Sequence, residues 1–153
     1  MRTYTIFLLT LIGVFLIDQG IKDIFLNGYE FISKCISLEL HLNYGVAFSL
    51  FAFLGKWLKW LQLALIVGIF VYIFYTKTVK EYPFSIGLIL GGAIGNLYDR
   101  FIHGGVVDYV AWHCGFNFAV FNFADVMIDL GVGLILFFSF LEHRKSQKES
   151  KKN

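Results

Sequence analysis

Residues 91–129 read GGAIGNLYDRFIHGGVVDYVAWHCGFNFAVFNFADVMID, so four aspartates lie among long apolar runs. They are Asp99, Asp108, Asp125 and Asp129, and a fifth, Asp18, lies earlier in the chain. A charged side chain near the hydrocarbon layer costs roughly 2.5–3.5 kcal/mol on insertion scales. Carboxylates at such positions therefore indicate a function, and we predict that two of them form an acid–base pair at a membrane surface.

The composition indicates an integral membrane protein. Of the 153 residues, 58% are hydrophobic, 18 are Phe and only one is Pro. A soluble domain of this length could not bury so much apolar surface, so a bilayer has to cover it. The length allows one domain, residues 1–153, and we predict neither a cofactor nor a nucleic-acid partner.

The placement of cations predicts the orientation in the membrane. Arg2 precedes the first apolar run, Lys77 and Lys80 lie between the second and third, and five cations crowd the tail 142–153. Short cationic segments stay cytoplasmic, so the N-terminus, the loop at 77–82 and the C-terminus are predicted to lie inside. With both termini on the same side, the number of spans has to be even. We predict an all-α membrane protein with four transmembrane helices at about 4–26, 57–76, 84–99 and 122–141. Since no small-x-small cleavage site follows the first apolar run, it is interpreted as a retained helix rather than a signal peptide.

The remaining segments, 27–56 and 100–121, are predicted to be external. Residues 37–43 alternate strictly between polar and apolar, which is typical of a half-buried strand. We expect a small external β-sheet here, an interfacial segment at 51–54, and a further extended piece at 106–110. Cys35 and Cys114 both fall in external segments, where a disulfide is chemically possible. Because their spacing follows no known pattern, we predict that they are not paired.

The third helix begins at Pro83, where the missing N–H costs nothing. Four glycines form a stripe along it and predict close packing of a neighbouring helix: Gly87, Gly91, Gly92 and Gly95. At its outer end three polar residues share one face: Asn96, Asp99 and Arg100. We expect Asn96 and Arg100 to be the structural partners of Asp99. The second helix carries one uncharged polar residue, Gln62, and is interpreted as mostly scaffold.

Two further aspartates have ready structural explanations. Asp18 and Lys22 lie four residues apart on the first helix, which favours an internal salt bridge. Asp125 falls in the first turn of the fourth helix, for which Asn122 is a suitable N-cap, so a capping role has to be weighed against chemistry. Asp129 lies one turn deeper.

Metal and serine chemistry find little support in the sequence. A set of ligand-type residues follows no known zinc spacing: His103, Asp108, His113 and Cys114. The serines have no context that indicates activation. Paired carboxylates are the remaining candidate, since one can keep a proton while the other activates water. Position at the outer interface favours Asp108 with Asp125, and leaves the equally shallow Asp99 open as an alternative.

Five ordered motifs carry a resemblance to a known family. They are Asp18-Gln19-x-x-Lys22, Asn43-x-Gly45-x-Ala47-Phe48, Gly91-Gly92-Ala93-x-Gly95-Asn96-x-x-Asp99-Arg100, Gly105-x-Val107-Asp108 and Phe121-Asn122-x-Ala124-Asp125. In this order the chain resembles the lipoprotein signal peptidases (signal peptidase II) over nearly its whole length before the tail. Ile21 and Val46 depart from the residues usual in the family, and Asp129 is an acid that the family pattern does not contain.

The resemblance implies an aspartic endopeptidase with four helices in the bacterial inner membrane. Such an enzyme removes the signal peptide from diacylglyceryl-modified prolipoproteins, just before the lipidated cysteine and without a metal. Both termini would be cytoplasmic and the site periplasmic, among membrane lipids, and globomycin would occupy the same groove. The implied roles are catalytic for Asp108 and Asp125, substrate-binding for Asn43, Gly45, Asn96, Arg100 and Asn122, and supporting for Asp18, Lys22 and Asp99.

Rival functions share only fragments of this pattern. A phosphatidyl-alcohol transferase also spaces Asp, Arg, Gly and Asp, and a presenilin-like protease begins its motif with Tyr-Asp, but in each the rest is absent. A small transporter or proton-relay component would use buried acids as well. In that case the acids would be expected near the membrane midplane, whereas here they cluster at one interface.

Overall fold

The computed structural model describes residues 2–45, 52–116 and 118–150, and these form a helical body with a small sheet at one end. The helices are α1 (Arg2–Leu26), α2 (Leu58–Tyr75), a short α3 (Thr78–Glu81), α4 (Pro83–Ile102) and α5 (Phe123–Ser150). The strands are β1 (Phe31–Ile32), β2 (Ile36–Asn43) and β3 (Val106–Trp112). A 3₁₀ segment, Ala52–Trp57, leads into α2 and is broken at Gly55, whose φ is 49°.

Among the described residues, three helices are long and apolar enough to cross a membrane: Arg2–Leu26, Phe53–Tyr75 and Phe123–Lys148. The helix α4 is not one of them, and its outer end carries the polar residues Asn96, Asp99 and Arg100. It is instead the central helix of the body, with α1 packed on one side and α5 on the other. Most of its residues are buried by protein, so α4 contributes far less apolar surface for lipid than its neighbours do.

The predicted glycine stripe on α4 is confirmed as the surface on which two helices meet it. A Cβ at Gly87 would lie 2.7 Å from the Cβ of Thr10 on α1, and one at Gly92 would lie 2.6 Å from the carbonyl oxygen of Ala124 on α5. Gly95 faces the carboxylate of Asp18 just as closely. The absent side chains therefore bring α1 and α5 against α4, together with the polar groups that these helices carry.

The predicted external strands form one antiparallel sheet in the order β1-β2-β3. In the register between the long strands, Ile36 pairs with Trp112 and Asn43 with Val106. The alternating segment 37–43 lies within β2, while the extended piece at 106–110 continues as a strand to Trp112. Phe121 then pairs with Val110 in an isolated bridge, which returns the chain to the sheet just before α5 begins.

The prediction that Cys35 and Cys114 are unpaired was wrong, since they form a disulfide with their Cα atoms 4.4 Å apart. The strand register explains the pairing: each cysteine lies just beyond the pair Ile36–Trp112, where β2 and β3 run side by side. The backbone N–H of His113 also donates to the carbonyl of Cys35 at 2.9 Å. Spacing in the sequence could not reveal this contact, because 79 positions separate the two cysteines.

The element boundaries differ from the predicted ones mainly at the helix ends. The helix α4 extends to Ile102, so residues 100–102 are helical rather than part of an external loop, and α5 continues through most of the tail to Ser150. Of the interfacial segment predicted at 51–54, residues 52–54 lie in the 3₁₀ segment and Phe51 lies outside the described residues. Ala47 and Phe48 of the second family motif also lie outside the described residues, as does Val46, which departs from the residue usual in the family.

Candidate active site

Asn122 caps the amino terminus of α5 as predicted and thereby fixes Asp125. Its side-chain oxygen accepts a hydrogen bond of 2.9 Å from the backbone N–H of Asp125. The carboxylate of Asp125 in turn accepts the backbone N–H of Asn122 at 3.1 Å. This reciprocal pair is a capping box, in which two unsatisfied donors at the helix terminus are satisfied at once. Asp125 thus caps the helix and also faces the interior of the site.

The same asparagine binds Asp108 on β3. Its side-chain N–H lies 2.7 Å from one carboxylate oxygen of Asp108, and Asn43 on β2 donates to the other oxygen at 2.9 Å. Asp108 is 2% exposed. Asn122 therefore connects the two candidate catalytic carboxylates, one on the sheet and one on α5, through bonds to both.

Asn96 on α4 extends this network toward α1. Its amide donates to Asp125 at 2.8 Å, while its oxygen accepts from Asn122 at 3.0 Å and from Lys22 at 2.9 Å. Lys22 is 1% exposed and forms the predicted salt bridge with Asp18, at 2.7 Å. Asp18 then accepts the backbone N–H of Ala124 at 3.1 Å. A chain of hydrogen bonds thus runs from α1 through α4 to the first turn of α5.

Asp99 does not find the partners expected for it within its own helix. It forms a salt bridge of 2.7 Å with Lys22 and accepts the backbone N–H of Val107 at 3.1 Å, while Gln19 donates to its other oxygen at 3.0 Å. The expectation of Asn96 and Arg100 as partners was wrong, because tertiary packing brings the lysine of α1 between the two buried aspartates. Asp99 consequently supports the start of β3, whereas Asp108 and Asp125 both bind Asn122.

Arg100 points instead toward α2 and the end of β2. Its Nε–H donates to the side-chain oxygen of Gln62 at 2.8 Å, and its Nη2 donates to the carbonyl of Gly45. Gln62 also donates to the carbonyl of Ala93, at 3.3 Å. The interpretation of Gln62 as scaffold therefore missed a contact to the site. The available signal was a lone amide within the apolar stretch of α2 that follows Lys59, since such a group needs a partner.

Burial raises the pKa of Asp108 from 3.8 to about 7, with repulsion from Asp125 acting in the same direction and the hydrogen bonds from Asn43 and Asn122 opposing it. At neutral pH, Asp108 is therefore poised between its protonated and ionised forms.

Tyr109, the next residue, was not singled out in the sequence. Its hydroxyl oxygen accepts the backbone N–H of Phe123 at 2.9 Å, which ties β3 to α5, and burial raises its pKa to about 12.

A groove of about 520 Å³ opens beside the two carboxylates. Residues of α2 and α5 line it, with Asp108 and Asp125 among them and a largely apolar wall formed by leucines of α2. The groove can accept an apolar ligand and present its polar part to two carboxylates that both bind Asn122. Within the described part of the chain, no three His, Cys, Asp or Glu side chains are grouped so that they could hold a metal ion.

The residues predicted to be catalytic or substrate-binding converge on this groove or on its carboxylates. Asn43, Asn96 and Arg100 line it, Asn122 bridges the acids, and Gly45 accepts from Arg100. Gly45 also donates its N–H to Asn43 at 2.9 Å, which orients the asparagine toward Asp108. Asp129, for which the sequence offered no role, also lines the groove.

Comparisons with known proteins agree with this architecture. The family model described as signal peptidase (SPase) II matches residues 10–141. The chain is 63% identical over 136 residues to the lipoprotein signal peptidase of Sulfurovum sp. (strain NBC37-1), covering 89% of this chain and 93% of that one. It is 47% identical over 146 residues to the lipoprotein signal peptidase of Helicobacter pylori (strain P12), covering 92% of this chain and 93% of that one.

A solved structure of a bacterial membrane enzyme shares the fold, with a TM-score of 0.75 and 25% sequence identity over 90% of this chain and 88% of that one. The match of the family model covers far more than half of the chain, and it includes every carboxylate described above. The chain accordingly belongs to the signal peptidase II family and is a membrane protease.

Proposed function

We propose that this protease is an aspartic endopeptidase that cleaves the signal peptide from lipid-modified prolipoproteins, just before the lipidated cysteine. The observation that carries the proposal is the pair Asp108 and Asp125, joined through Asn122 beside the groove. Two carboxylates held close to a common partner cannot both ionise easily, so the pair retains one proton. Such a pair combines a general base and a general acid at neutral pH.

In the proposed reaction the ionised carboxylate takes a proton from a water molecule, which attacks the carbonyl carbon of the scissile bond. The protonated carboxyl donates to the carbonyl oxygen as the tetrahedral intermediate forms. When the C–N bond breaks, a proton passes to the leaving nitrogen of the lipidated cysteine. Water is consumed, the bond is hydrolysed, and the pair returns to its singly protonated state.

The shape of the groove supports a substrate that is anchored in lipid. Its wall on α2 is apolar and includes Leu58, Leu61 and Leu65, against which acyl chains and the signal peptide could lie. Arg100 and Asn43 border the polar end, where a peptide backbone offers carbonyl and amide groups. Anchoring in the membrane would hold the scissile bond beside the carboxylates and reduce the entropy cost of the reaction. Globomycin would compete for the same groove.

We further propose that α4 crosses the membrane as a fourth span, with both termini in the cytoplasm and the sheet on the periplasmic face. The cations at 77–80 and in the tail support this orientation, because cationic segments stay cytoplasmic. The disulfide between Cys35 and Cys114 supports it as well, since such bonds persist in oxidising compartments. A proton-relay function gains no support, as the paired acids lie at one end of the helices.

The test is cleavage of a purified prolipoprotein, presented with and without its diacylglyceryl group, by the wild type and by Asp108→Asn and Asp125→Asn. We expect cleavage of the lipidated form alone and loss of at least about a thousandfold in kcat for each variant. Asp23→Asn, which changes an exposed aspartate on α1, is the matched control and should retain activity. Undiminished cleavage by both dyad variants would overturn the aspartic mechanism, and preference for the unlipidated form would overturn the substrate class.

A further inference from the structure

Asp129 is a groove carboxylate that the hydrogen-bond network around the dyad does not use. It lies on α5 four residues after Asp125, has an exposed side chain, and lines the same groove. Within residues 2–45, 52–116 and 118–150 it forms no hydrogen bond or ion pair, and it interacts electrostatically with Asp125, which is a like charge. The protein therefore offers this carboxylate repulsion and no donor.

The surroundings of Asp129 make an unpaired charge costly. Four residues along a helix correspond to about 6 Å, so Asp129 lies about that much farther into the membrane than Asp125. The groove there is lined by apolar residues, among them Leu65 and Ile128. A carboxylate beside apolar groups in the membrane is costly, and a hydrogen-bond donor within the groove would offset part of this cost. When a substrate fills the groove, that donor has to come from the substrate.

The proposed function indicates which part of the substrate reaches this depth, and the following inference rests on it. The apolar segment of a signal peptide lies in the membrane, so the residues before the scissile bond extend from the dyad toward the deep end of the groove. An extended chain advances about 3.3 Å per residue, so about 6 Å corresponds to two residues. Asp129 is thus within reach of the residue two positions before the bond.

We propose that Asp129 forms a specificity subsite for a hydrogen-bond-donating side chain of the signal peptide, two residues before the cleaved bond. A hydroxyl, amide or cationic group there would satisfy the carboxylate. An apolar side chain would leave it unpaired while displacing the water that otherwise solvates it. Sites built to bind a donor reject an analogue lacking it because their own polar group is then left unsatisfied.

The experiment compares lipidated prolipoproteins that differ by Ser or Ala at this position, each cleaved by the full-length enzyme. For the wild type we expect Ser to be preferred about tenfold in kcat/KM, mainly through KM, as for a hydrogen bond to a charged group. In Asp129→Leu, which lowers the cost of inserting α5, the ratio should fall to about one. Asp23→Asn, an exposed aspartate outside the groove, should keep the wild-type ratio.

Two results would overturn the subsite. One is a wild-type ratio close to one, and the other is a preference that survives in Asp129→Leu. Both differ from failure of the proposed function, in which the wild type cleaves none of the lipidated substrates and the subsite falls with it. Cleavage without the preference rejects the role of Asp129 alone.

Discussion

Asn122 donates its side-chain N–H to Asp108 across 2.7 Å, while the same side chain caps the helix that bears Asp125. One amide therefore sets the position of a strand carboxylate relative to a helix carboxylate. The relationship makes Asn122 more than a cap, because removing it releases both acids at once.

We expect Asn122→Ala to lower kcat by about a hundredfold, since a displacement of even about 1 Å at a reacting group can have that effect. The lost cap should also lower stability by about 1 kcal/mol. Cleavage of a lipidated prolipoprotein and thermal unfolding in detergent measure the two effects. Asn27→Ala is the matched control, because Asn27 is exposed and bonds only to its own turn. Equal losses of activity in the two variants would contradict the bridging role.

Cleavage should decline as pH rises above about 7. The active pair retains one proton, and burial raises the pKa of Asp108 to about 7, so that proton is lost above this value and the general acid disappears. Asn43→Ala removes a hydrogen bond that favours the ionised form, so the pKa should rise and the falling limb should move to higher pH. The pH dependence of kcat/KM measures the limb. A limb that stays in place, or moves to lower pH, would contradict the assignment.

Gln62→Leu should weaken the site through Arg100. The substitution leaves the buried Nε–H of Arg100 without its acceptor at 2.8 Å, and an unsatisfied buried donor costs about 1–3 kcal/mol. We expect a lower midpoint of thermal unfolding together with a loss of about tenfold in kcat/KM. Gln62→Glu keeps an acceptor and should retain more of both. Gln147→Leu, in the exposed end of α5, should change neither; a loss as large in that control would show that the effect is not specific.

Gly92→Ala should separate α4 from α5. The added Cβ would lie 2.6 Å from the carbonyl oxygen of Ala124, a backbone atom that can move only with the helix carrying Asp125. Overpacking of this kind costs about 1–3 kcal/mol, and we expect cleavage to fall along with stability. Gly68→Ala on α2 is the matched control, because a Cβ there meets nothing within 4 Å. A Gly92→Ala enzyme as active as this control would contradict the tight packing described here.

Local signals in the sequence were sufficient for much of the fold. Hydropathy located the apolar helices, alternation located β2, and the asparagine at position 122 predicted a helix cap that the structure contains. The signals failed where partners come from distant segments. Asp99 pairs with Lys22 on α1 rather than with its own neighbours, and Gln62 reaches Arg100 across helices. Only the strand register brings Cys35 to Cys114, and no spacing rule encodes it.

The disulfide between Cys35, just before β2, and Cys114, just after β3, also orders the events of biosynthesis. Its two cysteines are separated by 79 positions, and α2 and α4 both lie between them. The bond can close only after α4 has emerged and β3 has reached the face of the protein where β2 already lies. Asp108, which β3 carries, is therefore placed late, so a nascent chain lacks the assembled carboxylate pair until most of the protein has been made.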